Sequence, residues 1–158
     1  MTLDRIRIVL VNTTHPGNIG GAARAMANMG VNHLYLVGPQ RFPSTEATVR
    51  AAGADHLLER AIVCESLDDA VADCGLVIGT TARQRSVGWV ELSPEAVMAK
   101  VRERILTDQI AFVFGREASG LTNSELERCQ YHVRIPVEEG FPSINLAAAV
   151  MIIVYELK

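Results

Sequence analysis

The sequence has few cysteines and no pattern that would organise them into a cross-linked or metal-bound framework. Only Cys64, Cys74 and Cys129 occur in 158 residues, and no two of them form a C-x-x-C pair. An odd number of cysteines at irregular spacing argues against a disulfide framework and against a structural zinc site. Free thiols are typical of a reducing compartment, so we expect a cytoplasmic protein.

Long apolar runs and an excess of basic residues are also lacking. The longest apolar run, Leu146–Tyr155, is far shorter than the roughly 20 residues that a membrane helix needs, so we expect no membrane contact. The formal net charge is −3, whereas nucleic-acid-binding domains usually carry a clear basic footprint. Any contact with RNA must therefore come from a local patch.

Several familiar catalytic motifs are missing. The sequence contains no G-x-S-x-G, no H-E-x-x-H, no Walker lysine motif and no protein-kinase set. Their absence excludes the hydrolases, metalloproteases, nucleotide hydrolases and kinases that these motifs define. His33, His56 and His132 are scattered along the chain, and we interpret them as structural residues.

What the sequence does contain is an alternation of apolar, β-branched runs with helical segments. Strands are predicted at Ile6–Val11, Leu34–Val37, Leu76–Ile78, Ile110–Phe114 and Tyr131–Ile135. Helices are predicted at residues 19–29, 45–52, 67–72, 94–104, 122–128 and 146–157, with an exposed loop at 82–93. This alternation is typical of an α/β fold with a mostly parallel sheet and helices on both faces. Without a repeat or linker, residues 1–158 are expected to form one domain.

The predicted terminal helix, residues 146–157, is apolar on every side. Met151 and Tyr155 lie on one side of it, and Val150 and Leu157 lie on the other. A helix of this kind must be covered all round. We expect a second copy of the chain to cover part of it, forming a homodimer; a central core helix without a partner is the alternative.

A glycine-rich turn, His15–Arg24, follows the first predicted strand. Its glycines let the backbone approach a ligand at a helix N-terminus, for which Asn18 is the predicted N-cap. The G-x-G-x-x-G spacing is absent and no acid ends the second strand, which argues against a dinucleotide site. Arg24 lies in an otherwise small and apolar helix, so it is either a salt-bridge partner or a ligand for an anion or alkoxide.

Two further loops leave strand ends and enter helices. In Val113–Leu121, two glycines bracket Arg116 and Glu117 at the carboxyl end of a strand, where open α/β sheets bind ligands. A surface ion pair between Arg116 and Glu117 is the alternative.

In the other loop, Ile135–Asn145, Ser143 is the predicted N-cap and also a ligand contact. Asn145 would then be a polar residue among apolar ones within the first helical turn, which favours a functional role for it.

A fourth segment, Gly79–Ala82, closes a strand with small residues and either admits a flat ligand or forms an ordinary turn. Arg83, Arg85 and Trp89 follow it. Two arginines and an aromatic residue in one loop suit phosphate contact and base stacking. The alternative for Trp89 is an anchor in the core or in an interface, which we favour.

Three motifs taken together resemble the SpoU branch of the SPOUT methyltransferases over essentially the whole chain. They are N-x-G-x-x-x-R at Asn18, Gly20 and Arg24; F-G-x-E-x-x-G-L at 114–121; and I-P followed by S-x-N-L at 135–146. The order of all three is far more specific than any one of them. The resemblance implies a trefoil knot in the C-terminal part of the sheet, a homodimer, and S-adenosylmethionine as the cofactor.

The resemblance also implies site residues by motif match. The cofactor pocket would use Thr80, Thr81, Ala82, Gly115, Ile135, Pro142, Ser143 and Ile144. Arg24, Glu117, Ser143 and Asn145 would surround the acceptor and the methyl donor, and Arg24 would also contact RNA. The expected RNA contact of Arg83 and Arg85 rests on the composition of their loop and not on the motifs. Pro142 has no N–H, so only its carbonyl could bond to the cofactor.

The implied reaction is 2′-O-methylation of a ribose in RNA, which excludes DNA as the acceptor. The most similar members act on tRNA, on cytidine or uridine at the first position of the anticodon loop, and continue into a C-terminal extension. We therefore expect the residues up to Lys158 to be the catalytic domain alone. Arg24 would stabilise the developing alkoxide or pass its proton to an RNA phosphate, because a guanidinium does not release its own proton easily. Ribosomal RNA as substrate, or a non-catalytic RNA-binding module, are the alternatives.

Overall fold

The structure is a computed structural model that describes residues 2–81 and 89–158. Its strands are β1 (Ile6–Val11), β2 (His33–Val37), β3 (Ile62–Cys64), β4 (Cys74–Thr81), β5 (Glu91–Leu92), β6 (Gln109–Phe114) and β7 (Tyr131–Arg134). Its helices are α1 (Pro16–Met29), α2 (Thr45–Ala51), α3 (Asp55–Glu59), α4 (Leu67–Val71), α5 (Pro94–Arg104), α6 (Asn123–Leu126) and α7 (Leu146–Leu157).

The strands described above form one sheet in the order β3-β2-β1-β6-β4-β7-β5, and every pairing between them is parallel. The predicted parallel α/β fold is therefore confirmed. Because the strands are parallel, their carboxyl ends lie along the same edge of the sheet. The trefoil knot implied by the family resemblance stays a prediction.

The sheet is covered on both faces, as the sequence predicted. Along β1, Ile8 and Leu10 join the larger core cluster with helices α1, α2, α3, α5 and α7. Val9 and Val11, which point to the opposite face, join a smaller cluster that includes residues from α4 and α6. All of these β1 residues are buried, so β1 is an interior strand whose apolar run is explained by burial on both sides.

The N-caps of two helices differ from the predictions. Helix α1 begins at Pro16 after His15, not after Asn18, because proline at the first helical position needs no N–H partner. Helix α7 is capped by Asn145, whose side-chain oxygen accepts a hydrogen bond from the Ala148 N–H at 3.2 Å, so the prediction that Ser143 is the N-cap is wrong. Helix α6 begins with a capping box between Thr122 and Glu125, and α1 ends at Met29 as predicted, with Gly30 as its C-cap.

Short elements escaped prediction. Helix α3 and strands β3 and β5 are two to five residues long, which is too short for a hydrophobic period to be recognised. Strand β5 falls in the segment predicted to be a loop. Strand β5 is held by its pairing with β7, which the local sequence does not predict. Within residues 2–81 and 89–158, no helix is long and apolar enough to cross a membrane.

A buried arginine ties the amino-terminal half of β1 to the segment before β4. The Arg7 side chain is 5% exposed and pairs with both carboxylate oxygens of Asp73, at 2.8 and 3.0 Å. It also donates to the Ala70 carbonyl at 2.9 Å and stacks 4.3 Å above the Tyr35 ring. The hydrogen bond from Arg7 also lowers the pKa of Asp73.

Replacing Asp73 with asparagine is expected to lower the free energy of unfolding by about 2 kcal/mol, because it leaves a buried guanidinium without its counter-charge. The matched control is Asp68→Asn, which breaks a pair with Arg128 in which both side chains are more than half exposed. That loss should cost less than about 0.5 kcal/mol. Urea unfolding of the two variants measures the difference, and equal costs would contradict the account.

Candidate active site

A cavity of about 430 Å³ opens at the edge of the sheet where β4, β6 and β7 end. It is lined by Thr80, Thr81, Phe114, Gly115, Arg116, Glu117, Ala118, Ser119, Gly120, Ile135, Pro142, Ser143, Ile144, Leu146 and Ala149. Seven residues predicted to bind the cofactor are in this lining: Thr80, Thr81, Gly115, Ile135, Pro142, Ser143 and Ile144. Ala82, the eighth, lies outside the described residues. The cavity lies at the edge where open α/β sheets bind their ligands.

The loop after β6 is folded tightly on itself, and this folding shapes one wall of the cavity. Arg116 and Gly120 exchange backbone hydrogen bonds of 3.2 and 2.9 Å. A Cβ atom at Gly115 would lie 2.1 Å from the carbonyl carbon of Gly120, so no side chain fits there. Gly120 itself adopts a φ of +71°, which favours glycine. Gly115 and Gly120, which bracket Arg116 and Glu117, are thus required by the backbone conformation of this loop.

The Glu117 carboxylate binds the loop that follows β1. It accepts hydrogen bonds from the Thr14 N–H and hydroxyl, from the His15 N–H at 3.0 Å, and from the Asn18 side chain at 3.1 Å. Burial would raise the pKa of Glu117, but these donors outweigh it and lower the pKa to about 2. Glu117 is therefore ionised at neutral pH. Its carboxylate binds the β1–α1 loop and substitutes for the side-chain N-cap that α1 lacks.

Asn18 connects this carboxylate to the third loop. Its Nδ2 donates to Glu117, and its Oδ1 accepts from Nδ2 of Asn145 at 3.1 Å. Asn145 in turn caps α7. One hydrogen-bonded chain of Glu117, Asn18 and Asn145 thus joins three loops that are far apart in sequence. The structure thus brings these three loops together at the strand ends, as the sequence predicted.

Arg116 does not pair with its neighbour Glu117. Its guanidinium forms two hydrogen bonds with the Glu125 carboxylate, at 2.9 and 3.1 Å. With the amide of Asn12 turned so that its nitrogen donates to the Val37 carbonyl (3.1 Å), the Asn12 oxygen accepts from Arg116 at 2.6 Å. Arg116 therefore links the β6 loop to α6 and to the end of β1.

The predicted segment Gly79–Ala82 is not an ordinary turn, because β4 continues to Thr81. The hydroxyl of Thr80 donates to the Val113 carbonyl at 2.9 Å, which ties β4 to β6. Both threonines are only 8% exposed, and both line the cavity. Thr80 and Thr81 thus contribute the end of β4 to the cavity lining.

Arg24, one of the three basic residues predicted to contact RNA, is not in the cavity lining. Arg24 is exposed on α1, in the helical turn that follows Gly21, where α1 packs closely against Ala147 of α7. Arg83 and Arg85 lie outside the described residues. Trp89 packs against the smaller core and stacks edge-to-face on His132 with ring centroids 4.8 Å apart, which supports the core-anchor interpretation.

A family model described as the SpoU rRNA methylase family matches residues 5–155. This chain belongs to the SpoU rRNA methylase family. A tRNA (cytidine/uridine/adenosine-2′-O-)-methyltransferase, TrmJ of Pseudomonas aeruginosa (strain UCBPP-PA14), is 52% identical over 157 residues; the match covers 99% of this chain and 61% of that relative. TrmJ of Pectobacterium atrosepticum is 47% identical over 156 residues, which are 99% of this chain and 65% of that relative. The chain thus spans less than two thirds of these SpoU relatives.

Solved SpoU-like structures share the fold over nearly the whole chain. A probable methylase family protein from Haemophilus influenzae Rd KW20 superposes with a TM-score of 0.93 and 46% identity, covering 99% of this chain and 66% of that one. TrmJ from Z. mobilis ZM4 superposes with a TM-score of 0.89 and 37% identity, covering 95% and 67%. A superposition over 99% of the chain includes all three motif loops.

Sequence reasoning missed the contacts that several residues make around the cavity. Thr14 and the Asn18 side chain hold Glu117, and Asn12 and Glu125 hold Arg116. A polar run of Asn12, Thr13 and Thr14 directly after a buried strand was the available signal. The pairing of Arg116 with Glu125 had no signal, because residues nine apart in sequence face each other only through the folded loop.

Proposed function

We propose that this chain is the catalytic domain of an S-adenosylmethionine-dependent tRNA methyltransferase. It methylates the ribose 2′-hydroxyl of cytidine or uridine at the first position of the anticodon loop. The observation that carries the proposal is that the second and third motif loops line one cavity at the carboxyl edge of the sheet, and that Asn18 of the first loop is hydrogen-bonded to both. The chain is 52% and 47% identical, over 99% of its length, to two relatives named as tRNA 2′-O-methyltransferases, which supports the substrate class. A tRNA substrate also supports a cytoplasmic location.

The residues of the cavity fit S-adenosylmethionine. Phe114, Ile135, Ile144 and Leu146 provide apolar walls suited to an adenine ring. A volume of about 430 Å³ is within the range of roughly 300–1,000 Å³ that is usual for small-molecule sites. When bound, the cofactor supplies an electrophilic methyl group on a positively charged sulfur. Pro142 lines the cavity without an N–H, so its carbonyl and ring are what it offers a ligand.

The residues around the acceptor have separate tasks in this proposal. Ser143, exposed and on the cavity wall, orients the acceptor ribose together with Asn145. Arg24 stabilises negative charge on the 2′-oxygen as its proton leaves, or relays that proton to an RNA phosphate. A guanidinium cannot serve as the base because it stays protonated.

Glu117 is unsuited to act as the general base. Its pKa of about 2 lies far below the value near neutrality that general base catalysis needs, and its oxygens already accept hydrogen bonds from three residues. We therefore assign Glu117 a positioning role. It holds the loop before α1, and through Asn18 it holds Asn145.

The second part of the proposal is that the chain acts as a homodimer through α7. Ala148, Met151, Ile152 and Tyr155 form one stripe of that helix at i, i+3, i+4 and i+7 spacing. Within a single chain, Tyr155 remains 64% exposed and Met151 and Ile152 are only partly buried. An apolar stripe of this kind, on a helix whose other side is in the core, suits a second copy of the same surface.

The variant Tyr155→Glu is expected to shift the protein from dimer to monomer at micromolar concentration, because it places a charge in the apolar stripe. Sedimentation equilibrium measures the change. Leu106→Glu is the matched control, since Leu106 is 79% exposed in the segment after α5 and is not one of the stripe residues. An unaltered protein that sediments as a monomer would contradict the dimer.

The proposed substrate is tested by incubating the protein with S-adenosylmethionine labelled in the methyl group and with transcripts of tRNA or ribosomal RNA. We expect label in tRNA at one mapped nucleotide. Label in ribosomal RNA alone would replace tRNA as the substrate within the same family. No transfer to either RNA, with cofactor bound, would favour a non-catalytic RNA-binding module.

A further inference from the structure

A second cavity lies on the other side of the β6 loop from the first. Its volume is about 460 Å³, and it opens where β1 and β2 end. It is lined by Asn12, Thr14, His15, Gly38, Gln40, Arg116, Glu117 and Ala118. Arg116, Glu117 and Ala118 line both cavities, so one segment of three residues is the common wall. A group bound in the second cavity is therefore adjacent to whatever the first one holds.

The charges of the second cavity do not suit a phosphate. The Arg116 guanidinium is already paired with both oxygens of Glu125. The Glu117 carboxylate adds a negative charge, and other lining groups are neutral amides, a hydroxyl and an imidazole. Neutral donors and acceptors of this kind match the polar edge of a nucleobase, whereas phosphate sites rely on free cationic groups or free backbone N–H groups.

The backbone that carries these groups is fixed. Asn12 adopts a φ of +52°, and its N–H donates to the Val37 carbonyl at 2.7 Å. The Gln40 N–H donates to the Thr13 carbonyl at 3.2 Å, which ties the segment after β2 to the segment after β1. The cavity is thus a preformed feature of two adjacent strand ends.

The side chains of Asn12 and Gln40 differ in freedom. The Asn12 amide is engaged by Val37 and Arg116, so its orientation is fixed. The Gln40 side chain is exposed, and within residues 2–81 and 89–158 its amide has no hydrogen-bond partner. A free carboxamide carries a donor and an acceptor, and it exchanges their places by rotating half a turn.

We propose that the second cavity receives the base of the acceptor nucleotide and that the Gln40 amide contacts the exocyclic group at position 4 of the pyrimidine. This inference rests on the proposed function and assigns its specificity to one residue. The 4-amino group of cytosine donates to the Gln40 oxygen. The 4-carbonyl oxygen of uracil accepts from the Gln40 nitrogen after the amide turns over. One rotatable side chain therefore accommodates both bases.

Two substitutions at Gln40 separate its donor from its acceptor. Gln40→Glu offers only acceptors, so we expect the ratio of kcat/KM for cytidine over uridine to rise about tenfold. Gln40→Lys offers only donors, so the ratio is expected to fall about tenfold. The two acceptors are presented in tRNA transcripts that differ only at the mapped nucleotide. Asn32→Asp adds one negative charge at an exposed site beside the amino end of β2 and should leave the ratio unchanged.

The same ratio is measured as binding affinity by filter binding of the two transcripts without cofactor. Opposite shifts of the ratio in the two Gln40 variants support the assignment, and any other pattern overturns it. Absence of label transfer by the unaltered protein would count against the proposed function, whereas the binding ratios would still decide the role of Gln40.

Discussion

Replacing Arg24 with alanine is expected to lower the rate of methyl transfer about 100-fold while cofactor binding stays within twofold. A loss of this size is typical when a group that stabilises a developing oxyanion is removed. Arg24 is exposed and does not line the cofactor cavity, so its removal should leave the cavity intact. Single-turnover transfer at saturating cofactor and tRNA measures the rate, and equilibrium titration measures cofactor binding.

Arg102→Ala is the matched control for the loss of a positive charge. Arg102 is exposed on α5, which contributes no residue to either cavity. Its removal should change the rate less than twofold. If Arg24→Ala kept the full transfer rate with the cofactor bound, the catalytic assignment of Arg24 would be wrong.

Replacing Glu117 with glutamine is expected to lower both stability and activity. The variant keeps the shape but places an amide nitrogen among donors from Thr14, His15 and Asn18. The loss should be about 2 kcal/mol in the free energy of unfolding at pH 7, the usual cost of losing hydrogen bonds to a charged group. The transfer rate should fall as well, because Asn18 and Asn145 lose their alignment.

The pH dependence gives a second measure of the same carboxylate. The pKa of Glu117 is lowered to about 2 in the folded protein, so its stabilising effect is complete above the ordinary carboxyl range and is lost as pH falls toward 2. Glu117→Gln should therefore lose less stability than the unaltered protein between pH 4.5 and pH 2. Glu138→Gln, at an exposed position in the third loop, is the control. Parallel pH profiles for all three proteins would contradict the proposed role.

The sequence predicted the long elements well because their apolar periods are set by burial. Strand β1 is a continuous apolar run since both faces of the sheet are covered, and α7 has half of its residues buried in the core. Helix α3 and strand β3 were missed because short elements are held by tertiary contacts rather than by their own pattern. The knot stays a prediction that only the family resemblance supplied.

The site was predictable as a set of loops but not as a hydrogen-bond network. Glycines at 115 and 120 and the positions of strand ends indicated which loops meet. The partners within that meeting were not visible: Asn145 caps the helix where Ser143 was expected to, and Arg116 pairs with Glu125 rather than with its neighbour. Such choices depend on side-chain directions that only the folded backbone fixes.

The central claim is that the three loops assemble a site for methyl transfer to a ribose 2′-oxygen. The most direct measurement uses two tRNA transcripts that differ by a single 2′-deoxy substitution at the mapped nucleotide, each incubated with methyl-labelled S-adenosylmethionine. The account predicts label in the unmodified transcript and none at that nucleotide in the 2′-deoxy transcript. Label that survives the substitution would identify the base as the acceptor and contradict the assignment.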